Sequence, residues 1–195
     1  MLKVSNLALK FGTRTLFENV NIEFNEDNCY GIIGANGAGK STIAKIISNR
    51  LQPTTGKIFF TINEKIKIVE QRPLIAESIS VRQNIFLGHK DNKENFSRLL
   101  ELKKTWCPSL KLDSIAKNIG PNERFYASLL NCLLYDFDVL ILDEPTAYLD
   151  DVERKNLYER VKEASNNGYV ISSIDGTLGG VTLDIEKKSY KNRLH

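Results

Sequence analysis

Gly34-Ala35-Asn36-Gly37-Ala38-Gly39-Lys40-Ser41-Thr42 is the stretch on which the fold turns. It follows Cys29–Ile33, a short apolar run that reads as a strand. It leads into Thr42–Asn49, which reads as a helix with Ile43, Ile46 and Ile47 on one face. The pattern is G-x-x-x-x-G-K-[ST], placed between strand and helix where its chemistry requires it. Its glycines remove Cβ atoms, so that successive backbone N–H groups can converge on phosphate oxygens. The positive end of the following helix faces the same anions. Lys40 would reach β- and γ-phosphates, and the Ser41 hydroxyl would ligate Mg²⁺. The expected nucleotide-binding residues are therefore Gly34, Asn36, Gly37, Ala38, Gly39, Lys40, Ser41 and Thr42. A chance match in a chain of this size has a probability on the order of 1%, and the flanking strand and helix lower it further.

The second half of such a site lies far downstream. Val139-Leu140-Ile141-Leu142-Asp143-Glu144 is an apolar strand that ends in two carboxylates. Alone, it could be a strand with a solvated end. With the phosphate loop upstream, Asp143 becomes the expected Mg²⁺ residue, acting through a water. Glu144 becomes the expected group that polarises the attacking water.

Outward from these sites the chain alternates strand and helix. Leu2–Phe24 reads as short strands joined by a turn at Gly12-Thr13-Arg14. Lys57–Ile62 and Lys65–Glu70 read as a pair of strands. From about Ser80 to Leu134 the pattern is helical, with one apolar stripe at Phe96, Leu99 and Leu100 and another at Phe125, Leu129, Cys132 and Leu133. Asp151–Ser165 reads as a helix with Val152, Leu157 and Val161 toward the core, stopped by Gly168. Tyr169–Ile174 is the next strand. Gly176–Tyr190 leaves room for a glycine turn and a short strand pair. The expected fold is α/β, a P-loop NTPase of RecA-like type: a mixed, mostly parallel sheet with an N-terminal antiparallel β region and an inserted helical subdomain. One domain is expected over 1–195, with its core at about 1–79 and 135–195 and the helical subdomain at about 80–134.

The words around the two sites are more specific than the sites themselves. Asp143-Glu144-Pro145-Thr146-Ala147-Tyr148-Leu149-Asp150 resembles the Walker B and D-loop run D-E-P-T-x-x-L-D of ABC (ATP-binding cassette) ATPases. Gln71, before Arg72-Pro73-Leu74, is similar to that family's Q-loop, and Ser80-Val81-Arg82-Gln83-Asn84-Ile85 to its T-V-R-E-N-I segment. Pro53-Thr54-Thr55-Gly56-Lys57-Ile58 resembles the turn P-T-S-G-x-I. Phe11 falls where the family stacks an aromatic on adenine. The resemblance spans residues 2–175. It implies ATP and Mg²⁺ as cofactors, with Lys40, Glu144 and Gln71 catalytic and Ser41, Gln71 and Asp143 around the metal. It also implies a sandwich dimer, homo- or heterodimeric with another ABC ATPase. Each ATP would lie between one subunit's phosphate loop and the other's signature loop, with Asp150 reaching across. A membrane-spanning transporter subunit would be the partner, and the location cytoplasmic, at the inner face of a membrane.

Two positions depart from the family. The signature L-S-G-G-Q falls on Ile119-Gly120-Pro121-Asn122-Glu123. Gly120 lacks the serine hydroxyl, Pro121 has no N–H, and Glu123 is expected to turn a negative charge toward a polyphosphate. Ile174 stands where the switch histidine is expected. His89 and His195 are the two histidines of the chain, and both read as solvated side chains.

Composition bounds the rest. The chain has 195 residues, 42% hydrophobic and 26% charged, with a net charge of +3. No apolar run approaches the ~20 residues of a membrane helix, no secretory leader is expected at Met1-Leu2-Lys3-Val4, and no dense basic block points to nucleic acid. The three cysteines, Cys29, Cys107 and Cys132, are too scattered for a disulfide framework or a zinc site. The leading expectation is the ATPase subunit of an ABC transporter. The alternatives are a soluble, ribosome-acting ABC-F protein, which the run Tyr30–Gly37 resembles, and a nucleotide-gated subunit with little turnover.

Overall fold

The computed structural model describes residues 1–25, 28–60, 65–147, 149–164, 169–173, 181–184 and 189–192. Leu2–Phe11 (β1) and Arg14–Phe24 (β2) form an antiparallel hairpin about Gly12, whose φ is +58°. Its alternation is interrupted at Asn6 and Asn19, both with positive φ, where the register shifts. Asparagine tolerates this conformation better than most residues, and the Asn6 N–H is satisfied by Asn21 Oδ1 at 2.8 Å.

Cys29–Ile33 (β3) leads to Lys40–Ile47 (α1), which starts two residues earlier than the apolar pattern suggests. Thr55–Phe60 (β4) and Ile66–Val69 (β5) are both strands, but they do not pair with each other. β4 completes a three-stranded antiparallel sheet in the order β2-β1-β4, whereas β5 is an edge of the main sheet. Gly56 shows why β4 can join β1. A Cβ there would lie 2.5 Å from the Asn6 carbonyl oxygen, and its φ is +93°.

Beyond β5 the chain makes a helical excursion. Val81–Ile85 (α2), Lys93–Trp106 (α3) and Pro121–Leu133 (α4) occupy it, with a 3-10 turn at Ala116–Asn118. The chain re-enters the sheet as Val139–Asp143 (β6), parallel and adjacent to β5. Asp151–Ala164 (α5), Tyr169–Ser173 (β7), Val181–Asp184 (β8) and Ser189–Asn192 (β9) follow. The main sheet has the order β5-β6-β7-β3-β8-β9, parallel except for β9.

The sheet is buried on both faces, as the apolar run Val139–Leu142 of β6 requires. Ile32, Val139, Ile141 and Ile171 share one core with Ile43, Ile46 and Ile47 of α1 and the inward residues of β1 and β2. Leu140, Leu142 and Val170 share the other with α4 and with Leu157 and Val161 of α5.

Three expectations are corrected here. Leu100 is 46% exposed; α3 instead meets the core through buried Leu99 and Trp106 and partly buried Phe96 and Leu102. Val152 is 70% exposed, because the core beneath α5 begins only at Leu157, a turn further on. His89 is half-buried, its ring stacked on Tyr135 with centroids 4.2 Å apart. Gly168, Ile174 and His195 lie outside the described residues.

Candidate active site

The phosphate loop leaves β3 at the centre of the sheet and ends at Gly39, the N-cap of α1, with φ +102°. That left-handed backbone is one glycine adopts without strain. The site is also tight, since a Cβ would sit 2.9 Å from Phe17 Cδ1 and 3.3 Å from Leu16 Cδ2. β2 therefore covers the loop from above. Gly39 has no side chain with which to cap α1, which leaves the first-turn N–H groups oriented for an anion.

Lys40 is 4% exposed, and its ammonium donates to the carbonyl oxygens of Gly34 at 2.7 Å and Ala35 at 3.4 Å. A buried cation held by its own loop is oriented before any ligand arrives. The Ser41 hydroxyl donates to Asp143 Oδ1 at 2.9 Å. Asp143 is 3% exposed and ends β6 on the same face as Ile141, the face that looks at α1. The sheet thus joins two residues remote in sequence, because β6 and β3 both flank β7.

Glu144 follows with φ +48°. A non-glycine residue in this region is uncommon and strained by about 1 kcal/mol or more. Pro145 contributes by disfavouring the right-handed helical region for the residue before it. The Glu144 carboxylate accepts from Gln71 Nε2. Downstream of Gln71, the chain is pinned by buried Asn84, which accepts from the Ala76 N–H at 2.8 Å and donates to Ala76 and Ser80 oxygens at 3.0 Å. Lys40, Ser41, Asp143, Glu144 and Gln71 therefore converge. Phe11 is the last residue of β1. It is 58% exposed at the tip of the hairpin, beyond the Leu9–Phe17 pair.

The signature position opens α4. Gly120 is the N-cap and Pro121 the first helical residue, where a missing N–H is tolerated. Glu123 does not project its charge outward as expected. It accepts from the Gly120 N–H at 3.0 Å and closes its own helix end. Asn122 also turns inward, donating to Glu153 Oε1 at 2.9 Å. That link was missed in the sequence. Its partner half, Asp150-x-x-Glu153, is a legible capping box, with Glu153 N–H on Asp150 Oδ1 at 2.8 Å and Asp150 N–H on Glu153 Oε2 at 3.1 Å.

Fold and site define a P-loop α/β domain with a helical excursion between β5 and β6. The chain belongs to the ABC transporter family, whose model matches residues 17–147. It is 33% identical, over 88% of its length, to the uncharacterized ABC transporter ATP-binding protein YkpA of Bacillus subtilis, and spans 39% of that protein. It is 27% identical, over 91% of its length, to the nucleoside import ATP-binding protein NupA of Lactococcus lactis, again spanning 39%. The chain thus spans about two fifths of these relatives. Among solved structures, the ATP-binding cassette MJ0796, a dimer in a post-hydrolysis state with ADP and Pi, superposes with a TM-score of 0.84 at 19% identity, covering 99% of both chains.

Proposed function

We propose that the chain is the ATP-binding and ATP-hydrolysing cassette of an ABC transporter, acting at the inner face of a membrane on a separate membrane-spanning chain. The observation that carries this is the convergence of Lys40 with the loop carbonyls, Ser41 with Asp143, and Gln71 with Glu144. Among the described residues no helix is long and apolar enough to cross a membrane; in this reading the spanning role belongs to a separate chain.

In this reading the backbone of Gly34, Asn36, Gly37, Ala38 and Gly39 and the first turn of α1, including Thr42, cradle the phosphates. Lys40 exchanges its carbonyl partners for β- and γ-phosphate oxygens. The Ser41 hydroxyl, the Asp143 carboxylate and Gln71 form an all-oxygen donor set suited to Mg²⁺, which when bound polarises the phosphates as a Lewis acid. Glu144 orients a water and takes its proton as the water oxygen bonds to the γ-phosphorus and the bond to the ADP oxygen breaks. Gln71 holds the Glu144 carboxylate until nucleotide competes for the amide. Phe11, exposed on the hairpin, is free to stack on adenine. A second cassette, identical or not, would complete each site with the N-terminus of α4. The K40A variant tests the reading directly. Binding of a fluorescent ATP analogue is lost in K40A if the assignment holds, and an unchanged affinity overturns it.

The run Tyr30–Gly37 favours a second reading, a soluble ABC-F-like protein. Co-sedimentation of the tagged chain from its own cells separates the two, with membranes for the first and ribosomes for the second.

A further inference from the structure

Two helix N-termini are joined by one half-buried carboxylate. Glu153 Oε1 accepts from Asn122 Nδ2 at 2.9 Å, and Glu153 Oε2 accepts from the Asp150 N–H at 3.1 Å. Asp150 Oδ1 in turn caps α5 through the Glu153 N–H at 2.8 Å. Among the described residues the Asn122 Oδ1 atom is buried without a hydrogen-bond partner. Leaving such an acceptor unpaired is costly, so the inward rotamer is maintained against a penalty by the charge-assisted bond to Glu153. Glu123 is meanwhile occupied with Gly120 N–H at 3.0 Å. The outer side of the α4 start therefore presents the exposed Gly120 and Pro121, while the larger polar side chains at 122 and 123 are committed elsewhere.

We propose that Glu153 is a positioning residue that holds Asn122 inward and ties the α4 N-terminus to the Asp150 loop, so that both approach a second cassette's nucleotide as one unit. The proposal rests on the reading above that α4 completes a partner's site. It gives Asn122 a use. A side chain at that position released outward would stand between α4 and the approaching nucleotide; drawn onto Glu153, it leaves the approach clear. It also couples the two loops. Neither Asn122 nor Asp150 can move without breaking a bond to the same carboxylate.

The test uses the full chain carrying E144Q, so that bound ATP persists. MgATP-driven self-association is measured by analytical ultracentrifugation for this chain and for versions adding E153A, E153Q, N122A, or E153A with N122A. Fluorescent-ATP affinity at monomer concentrations and the melting temperature are recorded in parallel. E153A is expected to weaken association about tenfold or more, the scale of one lost charge-assisted bond, with monomer ATP affinity unchanged. E153Q is expected to restore most of it. Its amide oxygen can still accept from the Asp150 N–H while its NH₂ reaches the partnerless Asn122 Oδ1. The E153A and N122A effects are expected to be non-additive, as for groups that act through one bond. Association of E153A equal to that of the E144Q chain, additive effects, or a loss of ATP affinity matching the loss of association would overturn the positioning role alone. If the E144Q chain itself forms no MgATP-dependent dimer, the reading of α4 as a contact to a second cassette's nucleotide falls, and this proposal with it.

Discussion

At the scale of single residues, the strained one is the informative one. Glu144 sits at φ +48° directly after the buried Asp143. The backbone reversal swings its carboxylate to Gln71 instead of along the strand. If that carboxylate is the base, E144Q keeps ATP binding while steady-state phosphate release falls by at least ~100-fold. Wild-type release by E144Q moves the role elsewhere. A second residue-scale expectation concerns the thiols. Burial pushes the Cys29 and Cys132 thiols up to about 11, with nearby Lys162 and Lys67 respectively pulling the other way. The thiolate is the reactive form, so at pH 8 both cysteines are expected to alkylate slowly in the native chain and quickly in denaturant. Mass spectrometry after timed iodoacetamide exposure reads this out, and equal native and denatured rates would contradict the burial.

At the scale of elements, close approach and packing decide. Gly56 lets β4 pair with β1, and a methyl there would meet Asn6 O at 2.5 Å and Leu7 Cα at 2.6 Å in a left-handed backbone. Both atoms are backbone, so neither can swing aside. G56A is expected to lower stability by about 2 kcal/mol or more, measured by urea unfolding; an unchanged midpoint would mean the strands separate without cost. The joint between the helices and the sheet should respond to pH. His89, stacked on Tyr135, has its imidazole pKa lowered by burial first and by Lys67 second. The folded state then binds a proton less readily than the unfolded one. Stability is therefore retained above the ordinary value of about 6.5 and declines as pH falls from there toward the lowered folded value. Melting temperatures between pH 8 and 5 should show this decline, and H89F, which keeps the stacking, should flatten it. The phosphate loop, β6 and the repeating strands were legible in the sequence because their chemistry is local: a glycine pattern, an apolar run, a carboxylate pair. The exposed faces of Leu100 and Val152, the separation of β4 from β5, and the inward turns of Asn122 and Glu123 were not. All but the turn of Glu123, a local cap on the Gly120 N–H, depend on which distant element lies alongside, and a helical period alone leaves the choice of flank open.

At the scale of the whole molecule, the two halves of the proposed composite site are unequally equipped. The half built on β3, α1 and β6 brings together Lys40, Ser41, Asp143, Glu144 and Gln71. The half built on the start of α4 has lost two donors relative to the family pattern, the hydroxyl absent at Gly120 and the N–H absent at Pro121. Asn122 Nδ2 and the Glu123 carboxylate are bonded internally, to Glu153 Oε1 and to the Gly120 N–H respectively, so neither side chain is aimed outward. Removing one donor aimed at developing transition-state charge typically slows turnover ~10²–10³-fold. A homodimer would carry that deficit in both sites. A heterodimer with a cassette whose signature is intact would carry it in one, leaving one site that hydrolyses and one that mainly holds ATP. The isolated wild-type chain is therefore expected to turn over slowly. G120S combined with P121G, which restores the hydroxyl and the N–H without touching the Asn122–Glu153 link, should raise phosphate release about tenfold or more. The same double substitution should leave fluorescent-ATP affinity unchanged, because the phosphate loop lies on the other half. Fast release by the isolated wild-type chain, or no gain from G120S with P121G at equal ATP occupancy, would show that the start of α4 does not limit the reaction.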